Sequence, residues 1–151
     1  MESGTISQEA RKAGFDVVVL ATTASTNDVA LEQAVSRGAD RLWVVAREQT
    51  KGRGRHGRQW ASPPGHLYAS LVLREPCEPP AAPQLGFVAG LALHDAVAGV
   101  TGLTAPRLAL KWPNDLLMDG GKLSGLILEG HRIGPDMCFA VVIGMGLNVA
   151  H

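Results

Sequence analysis

Arginine and glycine alternate between Gln49 and Trp60, and this segment holds side chains well suited to binding an anion. Four of the chain's 14 Lys and Arg residues fall within eight positions, and three glycines lie between them: Lys51, Gly52, Arg53, Gly54, Arg55, Gly57 and Arg58. Glycine lets the backbone approach a ligand closely, and arginine offers planar N–H forks that suit carboxylate and phosphate. The spacing therefore predicts a loop that folds over an anion.

The same segment matches the dinucleotide pattern Gly-x-Gly-x-x-Gly, which in a dinucleotide-binding fold must open a helix. Pro63 and Pro64 follow six residues later with no apolar helical period before them, which argues against that fold. A solvated surface loop is the plain alternative. The flanking Gln49 and Trp60, between two apolar strands, favour a ligand-binding loop.

A second polar segment, Lys111-Trp112-Pro113-Asn114-Asp115, follows a predicted strand. Pro113 has no N–H and a restricted φ, so it stiffens the turn and places three polar side chains at the mouth of the strand. An ordinary Asn-Asp turn is the alternative to a binding site.

A third segment, Gly121-Lys122-Leu123-Ser124-Gly125, predicts a strand with Lys122 and Ser124 on one face and Leu123 on the other. A glycine inside a strand indicates that another group packs closely over it. An exposed Lys beside a turn is the alternative interpretation.

Apolar periodicity and turn residues predict the elements that carry these segments. The strands are expected at 16–21, 42–46, 66–74, 108–112, 115–118, 122–131 and 139–147, and the helices at 27–37 and 84–100. On the second helix the inward positions are predicted to be Leu85, Val88, Leu91, Ala92, Asp95 and Ala96. The pattern favours an α+β domain with one mixed, largely antiparallel β-sheet and helices packed on one face.

Composition predicts one domain over residues 1–151, with 46% hydrophobic residues and a formal net charge of zero. Zero net charge argues against a surface that binds nucleic acid broadly. We find neither a signal peptide nor a membrane-spanning apolar stretch, and Cys77 and Cys138 lie far apart, so a cytoplasmic protein with reduced thiols is expected. No His/Cys cluster has metal-ligand spacing, and no nucleophile signature occurs.

Taken in order, these segments resemble the biotin protein ligase (biotin–[acetyl-CoA-carboxylase] ligase) family, catalytic domain, over about residues 17 to 149. The resemblance is carried by Ser25-Thr26-Asn27, Glu48 to Trp60, Leu67-Tyr68-Ala69-Ser70, Lys111 to Asp115, Gly121 to Gly125, and Gly144-Met145-Gly146-Leu147-Asn148.

The resemblance implies roles for particular residues. Those implied to bind biotin are Ser25, Thr26, Gln49, Gly52, Arg53 and Gly125. Those implied to bind the nucleotide and its phosphates are Arg53, Arg55, Arg58, Lys111, Asn114, Asp115 and Asn148. Arg55 and Lys122 are the implied catalytic residues. No protein metal site is expected; Mg²⁺ would bind through the phosphates, with Asp115 as a candidate ligand.

The resemblance further implies that biotin and ATP give biotinyl-AMP, and that the biotinyl group passes to a lysine of a biotin carboxyl carrier domain. The Gly/Arg segment would order over the intermediate. With no N-terminal helix-turn-helix segment, DNA binding is not expected, and neither is a membrane partner; a homodimer is left open. The chain stops at His151, short of the family's remaining sheet and small barrel, so an unpaired edge that needs a partner or aggregates is expected.

Three rival interpretations stay open from the residues. A lipoate or octanoate ligase of the same superfamily shares the expected fold. A non-catalytic ligand-binding homologue would keep the site without the reaction. An RNA-binding module would use the Arg/Gly segment, but one Tyr, three Phe and three Trp offer few stacking platforms.

Overall fold

The computed structural model describes residues 2–3 and 5–149. The strands are β1 (Glu2–Ser3), β2 (Asp16–Thr23), β3 (Leu42–Gln49), β4 (Leu67–Arg74), β5 (Leu108–Lys111), β6 (Asp115–Met118), β7 (Gly121–Ile133) and β8 (Cys138–Leu147). The helices are α1 (Gln8–Lys12), α2 (Thr26–Arg37) and α3 (Gln84–Thr101). Short 3₁₀ turns lie at Arg55–Gly57 and Pro79–Ala81.

All eight strands form one sheet in the order β1-β2-β3-β4-β8-β7-β6-β5. β2 and β3 pair in parallel, because α2 connects them, and every other neighbouring pair is antiparallel. The predicted α+β class and the mixed, largely antiparallel sheet are therefore confirmed. This order places β4, β8 and β7 side by side at the centre, although β4 is distant from them in sequence.

Local signals explain where elements end. Gly38 follows α2 in the left-handed conformation, with φ of 66°, and its N–H closes the helix on the carbonyl of Gln33. Asp119 and Gly120 both have positive φ, and they turn β6 into β7 as a tight hairpin.

The helices lie on opposite faces of the sheet, which corrects the expectation of one face. On β8, Ala140 and Val142 pack in a cluster with Ala30 of α2. The alternate residues Val141 and Ile143 pack in a second cluster that includes Leu93 and Val97 of α3. Successive side chains of a strand point to opposite faces, so α2 and α3 must cover different sides.

The inward face of α3 also differs from the prediction. The residues that α3 buries are Gly90, Leu93 and Val97, whereas Val88 and Leu91 are 60% and 55% exposed. α3 carries apolar residues on nearly all of its sides. The spacing of its apolar residues therefore does not show which side packs against the sheet.

By length and composition alone, the segment Pro79–Thr101 is apolar enough to cross a membrane, with a mean hydropathy of 1.2. This differs from the expectation that the chain has no apolar stretch long enough to span a membrane. Core helices commonly have the same length and composition, and here α3 packs against β5, β6 and β7.

Candidate active site

A cavity lies on the α2 face of the sheet, between the start of α2, the Gly/Arg segment and the central strands. It is lined by Ser25, Thr26, Asn27, Gln49, Arg53, Gly54, Arg55, Trp60, Asn114, Lys122, Gly125, Leu126, Ile127, Gly144, Met145 and Gly146. The structure thus brings together eight of the sequence-predicted site residues, namely Ser25, Thr26, Gln49, Arg53, Arg55, Asn114, Lys122 and Gly125.

One end of the cavity is neutral and polar. It is formed by the last residue of β3 and the first residues of α2. Gln49 Oε1 accepts hydrogen bonds from Thr26 N at 2.8 Å and from Thr26 Oγ1 at 3.0 Å. Gln49 Nε2 donates to Ser62 Oγ, which fixes the amide. Ser25 precedes the helix, is 3% exposed and makes no side-chain capping bond, so its hydroxyl is left for a ligand.

A buried hydrogen-bond network leads away from this end beneath the cavity. Ser70 of β4, fully buried, donates to Asn27 Oδ1 and also lies 2.7 Å from Thr26 Oγ1. Asn27 Nδ2 donates to Glu129 Oε2 of β7 at 2.6 Å. These hydrogen bonds orient the side chains of Thr26 and Asn27 that face the cavity.

The Gly/Arg segment contributes Arg53, whose guanidinium is held by two carboxylates. Nη1 and Nη2 make a two-pronged contact with Asp28 at 2.9 and 2.8 Å, and Nη2 lies 3.5 Å from Glu129 Oε2. The hydrogen bond with Asp28 is the main cause that raises the pKa of Arg53, and the charge of Glu129 adds to it. Arg53 is therefore a permanent cation at the cavity wall.

Arg55 reaches across the cavity to the Lys-Trp-Pro-Asn-Asp segment. Its Nη1 donates to Asn114 Oδ1 at 2.8 Å, and Asn114 Nδ2 donates to the carbonyl of Leu126 at 2.9 Å. The amide of Asn114 thus links the Arg55 side chain to the backbone of β7. Arg55 and Asn114 are 59 positions apart, and only the folded sheet brings them together.

Lys122 enters the cavity because β7 contains a β-bulge. The pairing of β6 with β7 changes from Leu116 opposite Ser124 to Leu117 opposite Lys122, so Leu123 is an extra residue. Leu123 packs with the α3 cluster, whereas Lys122 lies against Gly125 on the cavity side. The prediction that Lys122 and Ser124 share a face is therefore wrong, because a bulge re-aims one side chain.

The Lys122 ammonium lies between a carboxylate and an aromatic ring. Nζ is 2.8 Å from Asp115 Oδ1 and 5.4 Å from the centroid of the Trp60 ring. The approach to Oδ1 is close but poorly aligned, so this contact is an ion pair without a well-directed hydrogen bond. A cation at this distance from an indole face is attracted by the ring.

Glycines form the floor because two large groups lie directly on the strands. A Cβ at Gly144 would overlap the Asn27 amide, and one at Gly146 would overlap the Trp60 indole. Gly125 has Lys122 and Trp60 at 3.2 to 3.3 Å from the place of a Cβ, as its position in a strand predicted. Trp60 Nε1 is buried here and has no hydrogen-bond partner among the described residues.

Five predicted site residues do not line the cavity: Gly52, Arg58, Lys111, Asp115 and Asn148. A Cβ at Gly52 would overlap Ser62 Oγ and the Trp60 carbonyl, so this glycine allows the loop to pack. Asp115 acts on the cavity through Lys122. The Asn148 amide donates to the carbonyl of Lys122, and Arg58 and Lys111 are exposed.

The sequence analysis gave no role to five residues that the structure places in or under the cavity: Asn27, Asp28, Trp60, Ser70 and Glu129. The sequence carries a signal for two of these five residues. Ser70 interrupts an apolar strand, and Glu129 ends the apolar run after Gly125. Neither signal identifies its partner, since that depends on how the strands align.

Few protein groups are available to bind a metal ion. Among the described residues, no three His, Cys, Asp or Glu side chains converge. Asp115 is the carboxylate beside Lys122, and it is already paired.

Known proteins with similar sequences assign this chain to a protein family. Residues 19–148 match the model of the biotin/lipoate A/B protein ligase family, and the chain belongs to this family. It is 49% identical over 132 residues to the biotin–[acetyl-CoA-carboxylase] ligase of Paracoccus denitrificans, covering 87% of this chain and 54% of the relative. The chain spans about half the length of the curated relatives that it matches.

Solved structures show the same fold. The biotin protein ligase of Leishmania major in complex with biotinyl-5-AMP aligns with a TM-score of 0.74 and 32% identity, covering 89% of this chain and 57% of that one. The biotin protein ligase of Aquifex aeolicus in complex with biotin and ATP aligns with a TM-score of 0.72 and 32% identity, covering 89% and 53%.

Proposed function

We propose that this chain activates biotin with ATP to give biotinyl-AMP and pyrophosphate, and then transfers the biotinyl group to a lysine amine of a biotin carboxyl carrier domain. The observation that carries the proposal is the polarity of the cavity. The neutral hydrogen-bonding pair of Thr26 and Gln49 lines the same cavity as three cations, Arg53, Arg55 and Lys122. Relatives named as biotin ligases support it.

The neutral end suits the ureido ring of biotin, which offers N–H donors and a carbonyl acceptor. Ser25 keeps a free hydroxyl there, and Gln49 is fixed by Thr26 and Ser62. A site whose polar groups hydrogen-bond a ligand rejects an analogue that leaves those groups unpaired. Lipoate and octanoate have no ureido group, so the same end disfavours them.

The cationic end suits the activation step, in which a carboxylate must approach an anionic α-phosphate. Two like charges 4 Å apart repel by about 4 kcal/mol at an effective dielectric constant near 20. Arg55 and Lys122, which both line the cavity, offset that repulsion and stabilise the charge that develops on the phosphorus oxygens. The carboxylate oxygen attacks the α-phosphorus, and the bond to pyrophosphate breaks, so no enzyme nucleophile is required.

Magnesium enters the proposal as part of the substrate, bound to the triphosphate. It would neutralise phosphate charge, and Asp115 would be a candidate ligand for it once Lys122 has turned to the substrate. Trp60 Nε1, buried and unpaired among the described residues, is a donor for a ligand atom. The Gly/Arg segment would exclude water from the mixed anhydride.

We also propose that the reaction takes place in the cytoplasm, where carboxylase carrier domains and ATP are present. The unpaired thiols of Cys77 and Cys138 support this compartment, since it keeps cysteines reduced.

The test is exchange of labelled pyrophosphate into ATP, measured with biotin, lipoate, octanoate or no acid. We expect exchange with biotin alone, and a loss of about 100-fold or more in Lys122→Ala and Arg55→Ala, the scale for removing one charge-stabilising donor. The matched controls Lys12→Ala and Arg37→Ala, at exposed helix positions, should retain full exchange.

The other outcomes separate the rivals. Exchange with lipoate or octanoate in place of biotin assigns the chain to the other branch of the family. Biotin binding without exchange indicates a non-catalytic homologue. The absence of exchange and of binding with biotin would rule out the proposal, and transfer to an added carrier domain tests its second half.

A further inference from the structure

Glu129 has no role among those that the family resemblance implies, and the proposed reaction does not involve it. It lies on β7, and its side chain is 28% exposed. One oxygen, Oε2, accepts from Asn27 Nδ2 at 2.6 Å and lies 3.5 Å from Arg53 Nη2. A single carboxylate oxygen therefore contacts both the floor of the cavity and the cation of the loop above it.

Asp28 and Glu129 hold the same guanidinium in different surroundings. Asp28 binds Arg53 through two oxygens, but its side chain is 54% exposed at the rim. Glu129 is more buried and is fixed by the buried amide of Asn27, which Ser70 holds in turn. An exposed ion pair exchanges readily with a ligand or water, whereas a carboxylate in a satisfied network stays in place.

We propose that Glu129 is the positioning residue for Arg53, and that Asp28 is a placeholder which an incoming anion replaces. Glu129 keeps Nη2 directed at the cavity while the fork that Asp28 occupies becomes available for the carboxylate of the substrate. Glu129 thus orients the Arg53 guanidinium, whereas Asp28 occupies it until the substrate binds. This inference rests on the proposed function for its kinetic part.

The first test replaces Glu129 by glutamine in the full chain. Glu129→Gln keeps the size and an oxygen acceptor for Asn27 but removes the charge that faces Arg53. We expect the KM for biotin in pyrophosphate exchange to rise about tenfold, the scale of one charge-assisted contact, with a smaller change in kcat. The matched control Glu32→Gln, on the exposed side of α2, should leave both constants unchanged.

Asp28→Asn tests the division of tasks. Because Asp28 competes with the substrate for Arg53, its loss should lower the KM for biotin, and an unchanged KM would overturn the competition. A rise in KM as large as that of Glu129→Gln would overturn the assignment of Asp28 as a placeholder.

A double-mutant cycle tests whether Glu129 acts through Arg53. In an Arg53→Ala background, Glu129→Gln should have no further effect on KM, because its partner is gone. Equal effects in both backgrounds would overturn the positioning role and indicate that Glu129 matters only for the floor.

Urea unfolding of the four proteins of this cycle separates this inference from the proposed function. They are the wild type, Arg53→Ala, Glu129→Gln and the double variant. If the wild type shows no biotin-dependent exchange, the proposed function fails, but the unfolding cycle still reports the coupling of residues 53 and 129. A coupling clearly different from zero supports the contact, and a coupling of zero overturns it whatever the activity.

Discussion

At the scale of single residues, each cation of the cavity is held by an acceptor of the chain itself. Arg53 is bound by Asp28, Arg55 by Asn114, and Lys122 by Asp115. The structure therefore pairs the charges that would otherwise repel one another, and an anionic ligand has to exchange with these partners. The energetic gain from binding such a ligand is accordingly less than the bare charges suggest.

The glycine floor leads to a prediction on one residue. Gly144→Ala places a methyl group against the Asn27 amide, which the network to Ser70 and Glu129 prevents from moving. Overpacking of this kind costs about 1–3 kcal/mol, and we expect that loss in urea unfolding together with weaker biotin binding.

Gly86→Ala on α3 is the matched control, because no atom lies within 4 Å of its added Cβ. Replacing glycine by alanine inside a helix is expected to stabilise by about 0.5–1 kcal/mol. If Gly144→Ala behaved like this control, the close packing of Asn27 on the floor would be contradicted.

At the scale of elements, two departures from regular pattern decide the site. The bulge at Leu123 turns Lys122 toward Gly125 and the cavity, although strict alternation would assign it the face of Ser124. The packed side of α3 is set by the sheet beneath it, since the helix is apolar nearly all round. Neither feature has a strong local signal, because both are imposed by neighbouring strands.

The packed side of α3 is tested by two substitutions of the same type. Leu93 is 8% exposed and Leu91 is 55% exposed, on the same helix. Leu93→Ala should destabilise by about 2–5 kcal/mol, because it leaves a cavity between α3 and the sheet. Leu91→Ala should cost no more than about 0.5 kcal/mol. Urea unfolding distinguishes them, and the reverse order would support the inward face predicted from the sequence.

At the scale of the whole molecule, one sheet separates two apolar clusters, and β8 contributes alternate residues to both. Tyr68 of β4 binds the loop that follows the Gly/Arg segment: its hydroxyl donates to the carbonyl of Pro63 at 2.8 Å. Burial raises the pKa of Tyr68 above its usual value. The neutral phenol is therefore the form that the folded protein prefers.

This shift predicts how stability depends on pH. Because the folded pKa is raised, the contribution of Tyr68 is complete below the unfolded pKa of about 10 and is lost as pH rises through the folded value. Tyr68→Phe should cost about 1 kcal/mol near neutral pH, the scale of one hydrogen bond. Its deficit relative to the wild type should shrink at alkaline pH.

Urea unfolding of both proteins across that range measures this difference, and Tyr68 is the only tyrosine, so tyrosinate absorbance reports its titration alone. A deficit that stayed constant with pH would contradict the raised pKa.

The sequence by itself determined the elements and the chemical character of the site. Strand and helix bounds depend on apolar period, glycine caps and turns, which act between near neighbours, and most were predicted within a few residues. The residue types in the Gly/Arg, Lys-Trp-Pro-Asn-Asp and Gly-Lys-Leu-Ser-Gly segments were enough to indicate an anion site and the resemblance to biotin ligases.

Only the tertiary structure decided which side chains meet. Asn27 and Glu129 are 102 positions apart, and Arg55 and Asn114 are 59 apart. These contacts depend on strand order, on the register of β7 against β6 and β8, and on which face each helix covers. Such features arise from packing between distant segments, so no local pattern in the chain encodes them separately.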